Sequence, residues 1–132
     1  MSEFKKNECR FTVVDDDLHV LFFVERALRE AFPEASISTF TDGCEALDHI
    51  QHSGTDLLIT DHSMHRMNGA ELIRALRKDG SHLPIIMVSS SPYAKEAGTT
   101  SGADVFLEKG EGTRRLSEVV RSLLSGNPNG SV

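Results

Sequence analysis

Apolar residues fall along this chain in two alternating patterns: short solid runs, and longer stripes with helical spacing. Phe11-Thr12-Val13-Val14, Leu57-Leu58-Ile59-Thr60, Ile85-Ile86-Met87-Val88 and Val105-Phe106-Leu107 are runs of the first kind, and each reads as a strand buried on both faces. Strand one covers about 10–14 and strand five about 104–108, and Ile37 to Phe40 adds a shorter strand two. The stripes lie between them. Leu21, Val24, Leu28 and Phe32 share one face of a first helix over about 17–31, with Asp17 as its N-cap. Asp42 opens a second helix with Glu45 as capping-box partner, Ala46, Leu47 and Ile50 turned inward, and Ser53-Gly54 as the stop. Asn68 and Glu71 form the same box for a third helix, whose Leu72, Ile73 and Leu76 face in and which Asp79-Gly80 ends. Pro84 opens strand four. Ser91-Pro92 predicts the N-cap and first position of a fourth helix, but Gly98 and the run Thr99 to Gly102 hold it to one or two turns. A last helix over about 112–125 carries Leu116, Val119, Val120, Leu123 and Leu124 as a buried stripe.

This alternation predicts an α/β fold, a parallel sheet covered by helices on both faces. In such sheets the ligand crevice lies outside the carboxyl ends of the strands. The residues delivered there are Asp15, Asp16 and Asp17 after strand one, Asp61 after strand three, Ser89 after strand four and Lys109 after strand five. Two carboxylates about 4 Å apart repel by roughly 4 kcal/mol at an effective dielectric of 20, so such a cluster needs solvation, protonation or a cation. An oxygen-only donor set with room for water suits Mg2+. A lysine and a hydroxyl beside the carboxylates suit phosphoryl oxygens, and a carboxylate nucleophile can form an aspartyl-phosphate. Asp61 is the expected nucleophile. Taken singly, Asp15 and Asp16 also read as helix-start carboxylates, Asp17 as a cap, Lys109 as a solvated loop lysine and Ser89 as a turn serine.

The 132 residues make one domain of ordinary hydrophobic (39%) and charged (26%) content, and the net charge of −6 with no basic stripe argues against a nucleic-acid surface. Cys9 and Cys44 lack metal-ligand spacing and suggest no disulfide scaffold. No apolar run reaches the ~20 residues of a membrane span, and the first residues lack a signal-peptide core, so a cytoplasmic location is expected. Residues 1–8 and 126–132 are expected to be flexible segments flanking a domain over 9–125.

Four stretches together resemble the response-regulator receiver domains of bacterial two-component signalling: Val13-Val14-Asp15-Asp16, Asp61-x-x-Met64-x-x-Met67-Asn68-Gly69, Pro84 to Ser89, and Gly102-Ala103-Asp104-Val105-Phe106-Leu107-x-Lys109. The resemblance covers about residues 9–125. It implies a flavodoxin-like doubly wound sheet in the order 2-1-3-4-5. It implies Asp61 as phosphoacceptor, and Asp15, Asp16, Asp61 and the backbone carbonyl of Ser63 as Mg2+ ligands. Ser89 and Phe106 take the places of the switch residues, and Lys109 that of the essential lysine. The implied partner is a histidine kinase or histidine phosphotransfer protein, and the domain is a signalling module that assists its own phosphorylation and dephosphorylation, not an enzyme in the usual sense. A stand-alone domain is expected, its effect delivered by binding another protein or by passing the phosphoryl group on.

The chain departs from the family pattern in four places: His65, followed by Arg66, stands where proline is usual; Gly110 also replaces proline; Ser90 replaces a small alanine; and the segment from Ser89 to Lys109 is slightly short. A cis bond before Gly110 would cost roughly 3 kcal/mol, so that loop is expected to be trans. The two lost prolines motivate an alternative, a receiver-like docking module that acts without phosphorylation. A transition-metal centre of Asp61, His62 and His65 is a further rival. A phosphatase is disfavoured, because an Asp-x-Asp-x-Thr pattern is missing after strand one. On the first helix, Phe22 and Phe23 flank the buried stripe, and part of each ring is expected at the surface.

Overall fold

A computed structural model describes residues 9–126, so the first segment expected to be flexible, 1–8, and all but Gly126 of the second, 126–132, lie outside the described residues. Five parallel strands form one sheet in the order β2-β1-β3-β4-β5: β1 Arg10–Val14, β2 Ser36–Phe40, β3 Leu57–Thr60, β4 Ile85–Ser89 and β5 Val105–Glu108. The helices are α1 Leu18–Ala31, α2 Gly43–Ser53, α3 Gly69–Lys78, α4 Ala94–Ser101 and α5 Leu116–Leu124. Alternation along the strands splits the core. Phe11, Val13, Leu57, Ile59, Ile86, Val88 and Leu107 pack against α1 and α5, whereas Val14, Leu58, Ile85 and Met87 pack against α2, α3 and α4. Every residue of β3 and β4 is buried, which is why these two strands read as unbroken apolar runs. Each fully buried Leu or Ile among them contributes roughly 1.5–3 kcal/mol of burial energy. Among the described residues, no helix is long and apolar enough to cross a membrane.

The caps read from the sequence are present, with one exception. Asp17 accepts from the His19 N–H at 2.9 Å. Asn68 and Glu71 close their box, at 2.8 and 2.9 Å. Asp42 caps α2 through the Cys44 N–H at 2.7 Å, but the reciprocal bond from Glu45 is not among those of the described residues. Two helix ends differ from expectation. Ser91 Oγ does accept from the Tyr93 N–H, at 3.3 Å, yet regular helix starts only at Ala94, after a turn. The last helix does not begin as an α-helix: Glu111–Arg115 is a 3₁₀ turn, with Thr113 bonding the Gly110 carbonyl from both its N–H and its hydroxyl, at 3.1 and 2.6 Å. That i to i+3 closure tightens the chain before α5.

On the α4 side of the sheet, Met87 lies beneath two glycines. A Cβ at Gly98 would stand 2.8 Å from its Sδ, and one at Gly69 would stand 3.0 Å from its Cε.

Candidate functional site: an acidic rim with one lysine

Strand register brings the polar strand ends together. Val14 pairs with Thr60 across β1 and β3, and the ladder runs one step further, the Asp61 N–H donating to the Val14 carbonyl at 2.9 Å. Asp15 and Asp61 are therefore neighbours. On the other side, Ser89 pairs with Glu108, and the Lys109 N–H donates to the Ser89 carbonyl at 3.1 Å. Lys109 then reaches back across the rim, its Nζ 3.1 Å from Asp15 Oδ2 and 3.3 Å from Asp61 Oδ2. Asp15 and Asp61 are buried at 2% and 5% exposure, while Asp16 is exposed. One oxygen from each of Asp15, Asp16 and Asp61 lies within 4.8 Å of the other two.

The remaining candidates sit around this group. Asp61 Oδ1 accepts the His62 N–H at 2.7 Å, and Asp15 Oδ1 accepts the Asp17 N–H at 2.9 Å. Asp17 itself stays with its helix as the cap. Ser89 is buried on the same rim with its Oγ bonded to the Ser91 N–H at 3.2 Å, and no hydrogen bond joins it to Asp61 among the described residues. Phe106 pairs with Met87 in the sheet and, with Pro92, Lys95 and Arg115, lines a surface cleft of about 510 Å3. Ser63 lies in the exposed loop two residues beyond Asp61. The rival set of Asp61, His62 and His65 does not assemble: the metal-capable group among the described residues contains neither histidine. The peptide bonds of the described residues are all trans, and Gly110 adopts φ 88°, a left-handed value natural to glycine.

Electrostatics follow from this geometry. Burial, with the Asp61 charge added to it, pushes the Asp15 carboxyl up to about 6, against the opposing pull of the Asp17 N–H and Lys109. Burial works against the Lys109 charge, but Asp15 and Asp61 outweigh it and hold its pKa above the ordinary value. Three carboxylates face one ammonium, so the rim stays negative. An all-oxygen donor set of this kind fits a hard divalent cation such as Mg2+ better than a thiophilic one.

The raised Asp15 value gives a signed prediction. The folded state holds this proton more tightly than the unfolded chain, whose carboxyl titrates at 3.8. This group's contribution therefore falls as pH rises from about 4 to about 6, and the penalty is fully present above that. In chelator, Asp15→Asn is expected to be more stable than wild type at pH 7 by about 1–2 kcal/mol, after loss of the Lys109 contact, with the gap closing toward pH 4. Urea denaturation at the two pH values checks this, and a variant weaker than wild type at pH 7 contradicts it.

Three contacts at the site were not visible in the sequence. His65 Nδ1 lies 3.3 Å from Asp16 Oδ2. Arg66 takes a left-handed backbone (φ 65°) and pairs with Asp42. A Cβ on Gly69 would fall 2.2 Å from the Asp61 carbonyl oxygen. Of these, only the glycine after the Asn68 cap left a local signal.

The chain matches the response regulator receiver domain family over residues 11–121. It is 38% identical over 117 residues to the response regulator MprA of Mycobacterium avium (strain 104), an alignment covering 87% of this chain. The chain spans about half the length of that relative, 50%. Among solved structures, the chemotaxis response regulator CheY4 of Vibrio cholerae is 29% identical with a TM-score of 0.78, over 89% of this chain and 99% of that one. The Francisella response regulator 1452 receiver domain is 28% identical with a TM-score of 0.80, over 90% and 98%. This chain belongs to the response regulator receiver domain family of two-component systems, whose members are signalling domains rather than classical enzymes.

Proposed function

We propose that the chain accepts a phosphoryl group on Asp61 from a phosphohistidine of a histidine kinase or phosphotransfer protein. The observation that carries this is the Lys109 ammonium set between Asp15 and Asp61, 3.1 and 3.3 Å away, on a rim that also holds Asp16. A carboxylate oxygen of Asp61 attacks phosphorus, the P–N bond to the imidazole breaks, and the imidazole leaves with the electron pair and takes up a proton. Asp15, Asp16, Asp61 and the Ser63 carbonyl would hold Mg2+, which when bound neutralises charge on the phosphoryl oxygens. Lys109 stays charged at neutral pH and is already aimed at Asp61, so it pairs with the phosphoryl oxygens without a large rearrangement. Ser89 exchanges its bond to the Ser91 N–H for one to the phosphoryl group. That differential contact biases Phe106 and the α4 surface toward a second state, which an output element or partner protein reads. The alternative, a docking module indifferent to phosphorylation, is disfavoured because Lys109 reaches both carboxylates although Gly110 follows it. Intact mass after incubation with a small phosphodonor and Mg2+ tests the proposal.

The phosphohistidine partner has a face to dock on. Leu18, Phe22 and Phe23 are 69%, 67% and 54% exposed along α1. Phe23 lines a cleft of about 610 Å3 that runs to Lys109 and Gly110. A histidine-bearing helix seated there would present its phosphorylated ring to Asp61. Aromatic anchors of such interfaces are worth about 2 kcal/mol or more. Phe22→Ala is expected to slow transfer from the cognate kinase by about 30-fold, the equivalent of 2 kcal/mol, while phosphorylation by a small donor is nearly unchanged. Equal falls in both rates, or no change in either, would remove Phe22 from the interface.

A further inference from the structure

The loop between β3 and α3 is tied to the start of α2 by three contacts of different kinds. The Arg66 guanidinium rests on the Asp42 carboxylate through Nε, at 2.7 Å, and through Nη2. This bond holds the Asp42 carboxyl below the usual carboxylate range. Asp42 is itself fixed, buried at 8% exposure and capping α2. A backbone bridge joins Asp42 to His65. The Met67 carbonyl comes so close to Gly43 that a Cβ there would stand 2.5 Å from it. Few non-glycine residues accept the left-handed conformation of Arg66, so these contacts sustain a backbone the residue does not favour by itself.

The product of this clamp is the placement of His65. Lys109 pairs with Asp15 and Asp61, and the partner of Asp16 is the His65 imidazole, 3.3 Å from Nδ1 to Oδ2. His65 lies outside the group of three carboxylates and contacts one of its members, Asp16. A neutral imidazole whose Nδ1 faces a carboxylate oxygen at this distance is favoured in the tautomer that carries its hydrogen on Nδ1. Partners of this kind orient metal-binding carboxylates, and losing them typically costs 10–100-fold in metal affinity.

We propose that His65 and Arg66 are positioning residues for divalent-cation capture: Arg66 sets the loop through Asp42, and His65 holds the Asp16 carboxylate where the cation meets it. The proposal rests on the reading of Asp15, Asp16 and Asp61 as the cation's ligands. Neither residue is asked to touch the cation or the phosphoryl group.

The test is Mg2+ binding to the unphosphorylated full chain at pH 8 by isothermal titration calorimetry, for wild type, His65→Ala, Arg66→Asn, the double variant and Asp16→Asn. Asparagine is chosen at 66 because it tolerates left-handed backbone, so the guanidinium is removed without a new conformational demand. His65→Ala is expected to weaken binding about tenfold and Arg66→Asn about threefold. The double variant should be no weaker than His65→Ala, since Arg66 acts through His65. Nitrogen-15 NMR of the wild type should show His65 as the Nδ1–H tautomer, a signature that a purely structural loop residue would not produce. Binding within twofold of wild type in His65→Ala, or tighter, overturns the proposal, as does a double-variant loss equal to the product of the two single losses, or an Nε2–H tautomer. If wild type binds no Mg2+, or Asp16→Asn binds as well as wild type, the ligand reading fails and the proposal with it. Failure of the positioning role alone leaves Asp16→Asn impaired and His65→Ala intact, so the two failures are distinguishable.

Discussion

Asp61→Asn is expected to abolish the phosphoryl mass gain that wild type shows with a small phosphodonor and Mg2+. The substitution keeps the shape of the side chain, and its amide oxygen can still accept the His62 N–H that Asp61 accepts at 2.7 Å. The fold is therefore retained while the anionic nucleophile is lost, a change worth at least about 10²-fold in rate. Asp61 is also the carboxylate that the end of β3 places within reach of Lys109, at 3.3 Å. Intact mass spectrometry reads the result directly. A gain in the Asn variant equal to that of wild type would assign the chemistry to another carboxylate, with Asp15 or Asp16 first in line. Chelating the divalent cation should suppress the wild-type gain as well, and a gain that survives chelation would remove Mg2+ from the reaction.

Gly69→Ala is expected to lower thermal stability by about 3 kcal/mol, a fall in Tm of roughly 10 °C for a domain of this size. The cause is space. A Cβ at this position would lie 2.2 Å from the Asp61 carbonyl oxygen and 3.0 Å from the His62 Cα, so the backbone of Asp61 and His62 would have to move. Moving it shifts the carbonyl of the very residue proposed to accept the phosphoryl group, so phosphorylation should fall together with stability. Gly80→Ala is the natural comparison. A Cβ at Gly80 would meet nothing within 4 Å, but the residue sits at φ 85°, so its cost is the left-handed penalty of about 1 kcal/mol. Circular dichroism melts of the two variants separate the causes. A Gly69→Ala protein that melts with wild type would mean that the loop relaxes without resistance.

Much of this architecture is readable from local pattern because its causes are local. Leu57 to Thr60 is unbroken because both faces of β3 are covered. Asp17, Asp42 and Asn68 announce helix starts because a cap acts within three residues of itself. The acidic rim is readable for a similar reason: once strands are parallel, polar residues at their ends must share an edge. The unread contacts have non-local causes. The sequence spacing between Asp42 and Arg66, or between Asp16 and His65, carries no trace of their pairing, which exists only after α2 and the β3–α3 loop have docked. The 3₁₀ turn over Glu111–Arg115 escaped detection for another reason. The apolar stripe begins only at Leu116, the preceding Gly112 and Thr113 fit a helical first turn as well as a tighter one, and the Thr113 bonds to Gly110 reveal which it is.

Met87 carries a consequence for how this domain tolerates change. It bears on the start of α3 through Cε, beneath Gly69, and on the middle of α4 through Sδ, beneath Gly98. A thioether chain is unbranched and adaptable, so it can yield to one neighbour and refill under the other at small cost. The two helices thus rest on a single compliant support, and neither can be repacked by evolution or by design without loading the other. An added methyl at residue 98 meets that compliant sulfur, whereas one at residue 69 also meets a rigid carbonyl. Isoleucine at 87 would suit the strand by propensity, yet its stiff, branched side chain could not serve both bearings, and the two helices would lose their shared freedom to shift.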